Sequence, residues 1–209
     1  MILPELDRLL LFATASLALY LSPGPDMLYI ASRALGGSVR AGVLAGLGVS
    51  IGIVCHMLAA GFGLAALLIA VPAAFIAVKW CGAAYLAYLG IKAWLGAGDQ
   101  AGFRKAAPAS DWAMLRQGIL VNLLNPKIAL FFLAFIPQFV DPAQGHPTEQ
   151  FFFFGVLFTV GGLFWVMIQA VLFARAGRWL TARPAALKWQ QRVSGTVLLG
   201  LAANLALSD

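Results

Sequence analysis

Apolar residues run along most of this chain in long blocks, and the polar residues fall almost entirely between the blocks. A helix needs roughly 20 mostly apolar residues to cross a bilayer. By that measure the blocks predict six spans: about Leu6 to Ala34, Ala41 to Leu68, a third ending near Trp94 after a turn at Val71 and Pro72, Leu115 to Phe139, Phe151 to Ala174, and Val193 to Leu207. The connections carry the turn and charge signals. They are a short basic turn from Arg33 to Arg40 with Gly36 and Gly37, a mixed polar stretch from Gly96 to Asp111, a loop from Val140 to Gln150, and a strongly basic loop from Arg175 to Arg192. This pattern predicts an all-α membrane protein with one transmembrane domain, residues 1–209. Its first half covers about 1–95, a cytoplasmic linker about 96–114, and its second half about 115–209.

Two of the six spans are interrupted. In the first, Pro23 and Pro25 remove the N–H groups that would have bonded the carbonyls of Leu19 and Leu21, Gly24 lies between them, and Asp26 follows directly. In the fourth, Pro126 frees the carbonyl of Asn122, with Asn125 and Lys127 on either side of the proline. Irregular backbone at membrane depth survives only where protein or water satisfies it, and a charged group there is expensive. Both interruptions are therefore expected to be functional. An opened helix offers carbonyls to cations and a helix N-terminus to anions, so two facing breaks suit a zwitterion such as an amino acid. The expected binding or coupling residues are Pro23, Gly24, Pro25, Asp26, Asn122, Asn125, Pro126 and Lys127. Asp26 and Lys127 are further expected to be coupled to each other, with Asp26 binding an ammonium group or carrying a proton.

The two halves also match. Pro23 answers Pro126, Gly46 and Gly52 answer Gly155 and Gly161, and Gly82 answers Gly195, at offsets of 103, 109 and 113 residues. Three spans per half make such repeats enter the membrane from opposite sides, the plan of many secondary transporters. Span two is rich in glycine as well, with Gly42, Gly61 and Gly63 beside the paired two, which favours close helix packing in lipid.

Composition agrees: 62% of the 209 residues are hydrophobic and 11% charged, with a mean hydropathy of +0.89. The net charge of +6 does not indicate nucleic acid, because the basic residues sit at the ends of apolar blocks. Eleven of the 14 lie after spans one, three and five, against only Arg8 and Lys79 on the other side and Lys127 within span four. The positive-inside rule then makes those three connections cytoplasmic and puts both termini outside. The first span lacks a basic leader and a small-residue cleavage site, so it is read as uncleaved.

Other polar residues carry weaker signals. His56 titrates in a useful range, as a proton relay or as a histidine satisfied by a neighbour. Lys79 is expected to snorkel to the outer surface, Gln138 and Gln169 to bond between helices, and Phe151 to Phe154 to form lipid-facing bulk at an interface. Cys55 and Cys81 lie in apolar segments and read as small buried groups; a membrane-embedded thiol oxidoreductase using the two is the alternative function. Metal-ligand spacings, phosphate loops and nucleophile elbows are absent from the sequence, so it predicts no cofactor and no enzyme.

Four stretches carry a family resemblance: Ser-Pro-Gly-Pro-Asp at 22 to 26, Gly-Ala-Ala-Tyr-Leu-Ala-Tyr-Leu-Gly-Ile-Lys at 82 to 92, Asn-Leu-Leu-Asn-Pro-Lys at 122 to 127, and Ser-Gly at 194 and 195. Over nearly its whole length the chain resembles the lysine exporter and homoserine/threonine exporter (LysE/RhtB) group of bacterial inner-membrane efflux proteins. The resemblance implies export of amino acids or related metabolites, coupled to the proton gradient, with the Pro-Gly-Pro and Asn-Pro segments meeting at the centre. The implied partners are such a substrate, protons and the lipid bilayer; nucleic acid is excluded and a homo-oligomer is left open.

Overall fold

The computed structural model describes residues 4–35, 38–70, 72–96, 105–181 and 184–207. The turn at Gly36 and Gly37, Val71, the linker stretch 97–104, Arg183 and the side chain of Lys79 lie outside the described residues. Every element among the described residues is helical, as the apolar blocks require.

The first block forms α1 (Leu6–Leu21) and α2 (Pro25–Ala34), bent by 54° at the break. Pro25 occupies the first position of α2, where its missing N–H is not needed. Next come α3 (Val39–Ala70) and α4 (Pro72–Leu95). The fourth block repeats the grammar of the first: α5 (Asp111–Leu123) stops, Pro126 starts α6 (Pro126–Leu130), and the bend is 51°. Side chains cap both pieces, Ser110 accepting from Ala113 N at 3.2 Å and Asn125 from Lys127 N at 3.1 Å. Beyond α6 the chain does not stay α-helical. Phe131–Phe135 is a π-helical turn and Ile136–Phe139 a 3₁₀ turn, as Pro137 cannot donate to the carbonyl one turn back. The last helices are α7 (Pro147–Thr181) and α8 (Pro184–Leu207).

Among the described residues, two helices are long and apolar enough to cross a membrane unaided, over Val39–Gly63 and Pro147–Ala176, and each bent pair qualifies as a further span. α3 lies along both α5 and α7, and α4 lies along α8. Glycine makes the last approach possible: a Cβ on Gly195 would sit 2.8 Å from the carbonyl oxygen of Gly90.

Two expectations need correcting. The basic stretch from Arg175 to Arg192 is not a loop, because α7 continues to Thr181 and α8 begins at Pro184 instead of near Val193. Its alanines, leucines, glutamines and basic residues are good helix formers, and Pro184 falls at a helix start. Nor is the whole run Phe151 to Phe154 lipid-facing bulk: Phe152 and Phe153 stay partly exposed, but the other two turn inward. Phe151 and Phe154, three apart and so on one face of α7, are 2% and 0% exposed. They join Phe12, Phe131, Phe132, Phe135, Phe139 and Phe158, all buried, in a cluster with neighbouring ring centroids 4.4–6.5 Å apart. This aromatic cluster fills the end of the bundle where α1 and α7 start.

The opposite end is basic. There Arg33 donates to Ala107 O and to Gln117 Oε1, each at 2.7 Å, Arg40 pairs with Asp111, and Arg192 lies over the Trp94 ring. Such exposed contacts add little stability, but they tie α2, α3 and α5 together and α4 to α8.

Candidate functional site

Each proline in the two breaks leaves a carbonyl without its helical donor, and buried carbonyls must find another. In this fold side chains reach all three, and Asn122 O also accepts from the backbone N–H of Asn125 at 2.9 Å. Lys127 Nζ, 7% exposed, donates to Leu19 O at 3.1 Å and also to Ser22 O at 2.9 Å. Gln190 Nε2, on α8, donates to Leu21 O at 2.8 Å. The ring of His56, on α3, meets Asn122 O through Nε2 at 3.0 Å. The carbonyls of the first break are thus held by a cation of the protein itself, the Lys127 ammonium, and together these bonds tie the two broken helices into the bundle.

Asp26 is held from the other break. Its Oδ2 accepts from Asn122 Nδ2 at 2.9 Å and from Asn125 Nδ2 at 2.8 Å. Each break thus supplies the hydrogen-bonding partners of its counterpart: Lys127 from the second holds carbonyls of the first, and asparagines of the second hold the carboxylate of the first. Asp26 and Lys127 lie in one cluster and feel each other's charge, as expected, but they form no direct ion pair. Each bonds a different set of neutral partners, Asp26 through Oδ2 alone.

Glycines set the clearances. Gly24 has extended backbone, φ −167° and ψ −178°, which any residue can adopt, so conformation does not select it. Space does: a Cβ there would stand 3.3 Å from Lys127 Nζ. On α3 a Cβ at Gly52 would meet the side chain of Asn122 at 2.7 Å, and on α7 one at Gly161 would meet the hydroxyl of Tyr20 at 3.0 Å. Of the paired glycines, Gly52 and Gly161 therefore each back the broken helix of the opposite half.

The eight residues expected at the site come together, lining cavities or bonding across the breaks at this one place. A cleft of about 670 Å³ reaches Pro23, Gly24, Pro25, Asn125, Pro126 and Lys127 and runs to the basic end past Tyr85, Tyr88 and Lys92. A smaller cavity of about 40 Å³ lies on the other side of the breaks, between α1, α2, α3 and α7, and Asp26 lines this one. Ser22 and Lys127 line both. Sequence reasoning missed Gln190, which it placed in a loop, and the tyrosines of α4. Counting one orphaned carbonyl per proline signals that a donor is needed, although it does not name the donor. Cys55 is half-buried and Cys81 exposed, both as free thiols.

Comparison with known proteins adds a family. Residues 17–209 match the family model described as LysE type translocator. The chain is 32% identical to an uncharacterized membrane protein of Vibrio cholerae, over 89% of this chain and 90% of that one. It is 31% identical to the homoserine/homoserine lactone efflux protein of Salmonella typhimurium, over 93% and 94%. The leucine efflux protein of the same organism is 28% identical, over 93% and 92%. No solved structure matches.

Proposed function

The chain belongs to the LysE-type translocator family of multi-pass membrane proteins, and from that premise we propose that it is a secondary exporter of amino acids or close derivatives, driven by the proton gradient across a bacterial inner membrane. The observation that carries the proposal is the meeting of both proline breaks on a single cleft of about 670 Å³ that runs to the basic end. That volume lies within the range of small-molecule sites, which are mostly apolar with a few placed polar groups. Relatives named for efflux of leucine and of homoserine and its lactone support the substrate class. The thiol reading has no comparable support.

The substrate enters the cleft from the basic, cytoplasmic end. Its carboxylate meets the N-terminus of α2 at Gly24 and Pro25, where helical N–H groups lack partners. Its side chain lies against Tyr85, Tyr88 and Leu89. Asp26, behind the breaks, takes the coupling proton. Six spans in two inverted halves, residues about 1–95 and 115–209, alternate this site between the two sides, with both termini extracytoplasmic. The pairings of α3 with α7 and α4 with α8 support that arrangement, because each joins matching elements of the two halves.

Reconstitution of the purified protein into liposomes tests the proposal. A panel of labelled amino acids is offered with and without an imposed pH gradient. Gradient-driven accumulation of amino acids with apolar side chains is the expected result; no flux of any member overturns the exporter reading.

A further inference from the structure

The small cavity beside Asp26 holds three polar atoms with nothing to bond. Asp26 Oδ1, Gln169 Oε1 and Trp165 Nε1 are all buried and without a partner, and all three residues line this cavity. Gln169 is 3% exposed, so its oxygen is shielded by the protein. A buried polar atom left unsatisfied is costly, and three lining one cavity call for a common ligand.

The chemistry of the three atoms selects the ligand. Two are acceptors, a carboxylate oxygen and an amide oxygen, and the third is an indole N–H, which only donates. A water molecule has two O–H donors and a lone pair to receive that N–H, so it satisfies all three. A metal cation or an ammonium group suits the two oxygens but is repelled by the N–H. Size agrees with this choice: about 40 Å³ exceeds the roughly 10–15 Å³ that a water needs and falls far below a small-molecule site.

The internal repeat adds an independent argument. The offset of 109 residues that relates the glycines of α3 and α7 carries His56 onto Trp165. His56 reaches the second break through Asn122 O. Trp165 faces the first break from the matching place on α7, and there a water would complete the reach.

We infer that this cavity is a binding site for one water molecule, held by Asp26, Gln169 and Trp165, and that this water hands the coupling proton to Asp26. The inference rests on the proton-driven exporter reading. In the step, the water's O–H bond toward Asp26 Oδ1 breaks as the carboxyl O–H forms. A proton from bulk hydronium restores the water, so hydronium and carboxylate become water and carboxylic acid. The titratable groups around Asp26 are Lys127 from α6, His56 from α3 and Tyr20 from α1; α7 contributes the neutral Trp165 and Gln169. Lys127 and His56 are both engaged with backbone carbonyls and Tyr20 with Phe158 O, which leaves Asp26 to the water.

The test uses the full-length protein with Gln169→Leu and Trp165→Phe, each removing one of the water's partners, and Gln169→Glu, which keeps an acceptor. Infrared difference spectra over an acid titration report the Asp26 carboxyl band, assigned by its loss in Asp26→Asn, and an isotope-sensitive water band in H₂¹⁸O. Both bands are expected to shift in Gln169→Leu and Trp165→Phe. In liposomes, accumulation driven by a pH gradient should fall at least roughly tenfold in these two. Substrate exchange without net proton movement should stay at the level of the unaltered protein, which also shows that the variants fold. Gln169→Glu should restore driven accumulation in part. Unmoved bands, or driven accumulation at the unaltered level in both variants, overturn the water site. An unaltered protein whose accumulation ignores the pH gradient overturns the coupling instead, and the infrared bands then decide the water site by themselves.

Discussion

Lys127 shows how a single side chain can be only half read from sequence. Beside a proline break and opposite an aspartate, it reads as half of an ion pair, and removing both charges should then cost less than removing one. The structure gives it another task, bonding Leu19 O and Ser22 O. Lys127→Met leaves two buried carbonyls unpaired at about 1–3 kcal/mol each, and adding Asp26→Asn does not return a donor to them. Thermal unfolding in detergent is expected to show the double variant no more stable than Lys127→Met alone; recovery in the double variant would restore the ion-pair reading. Gln190→Leu orphans Leu21 O in the same way and should lower stability by about 1–3 kcal/mol. The prolines, Asp26 and Lys127 were legible because intramembrane breaks and charges are rare. Gln190 was not, since glutamine among arginines at a helix start carries no mark of the carbonyl it will meet.

At the scale of elements, the grammar of the breaks was readable: a helix stops, a proline opens the next one, and the same device recurs one half later. The path of the chain beyond Pro126 was hidden. A π turn succeeded by a 3₁₀ turn leaves little trace in an apolar run, because hydrophobic periodicity is weak where every position is apolar. For the same reason the run Phe151 to Phe154 gave no hint of which rings turn inward. The paired glycines, by contrast, were found by spacing, and the structure gives them graded clearances. A methyl group at Gly52 strikes Asn122, 0% exposed and bonded to Asp26, at 2.7 Å; at Gly161 it meets the hydroxyl of Tyr20 at 3.0 Å. Overpacking of this kind costs about 1–3 kcal/mol. Gly52→Ala is expected to fall at the upper end and to reduce transport more than Gly161→Ala, as measured by melting and by liposome uptake. The reverse order would mean that Asn122 moves more freely than its bonds imply.

Across the whole molecule the two ends differ: the cleft runs to the basic end, and eight buried phenylalanines fill the other. In a background with Cys55→Ser and Cys81→Ser, Ser22→Cys on the cleft wall should react with a membrane-impermeant thiol reagent added at the basic side and resist it at the aromatic side. Labelling from the aromatic side alone would show that the closed end has been misassigned. Reporter fusions after Leu207 and near Lys105 should read on opposite sides of the membrane, and a shared side would remove the inverted repeat. The aromatic end has one more consequence. Its core contacts are rings against rings, with the Arg8–Asp141 pair at the rim, so opening it breaks few hydrogen bonds and instead wets apolar surface, which raises the heat capacity of the open form. A turnover limited by that opening is then expected to give a curved Arrhenius plot, and Phe158→Ala, by shrinking the surface to be wetted, a straighter one.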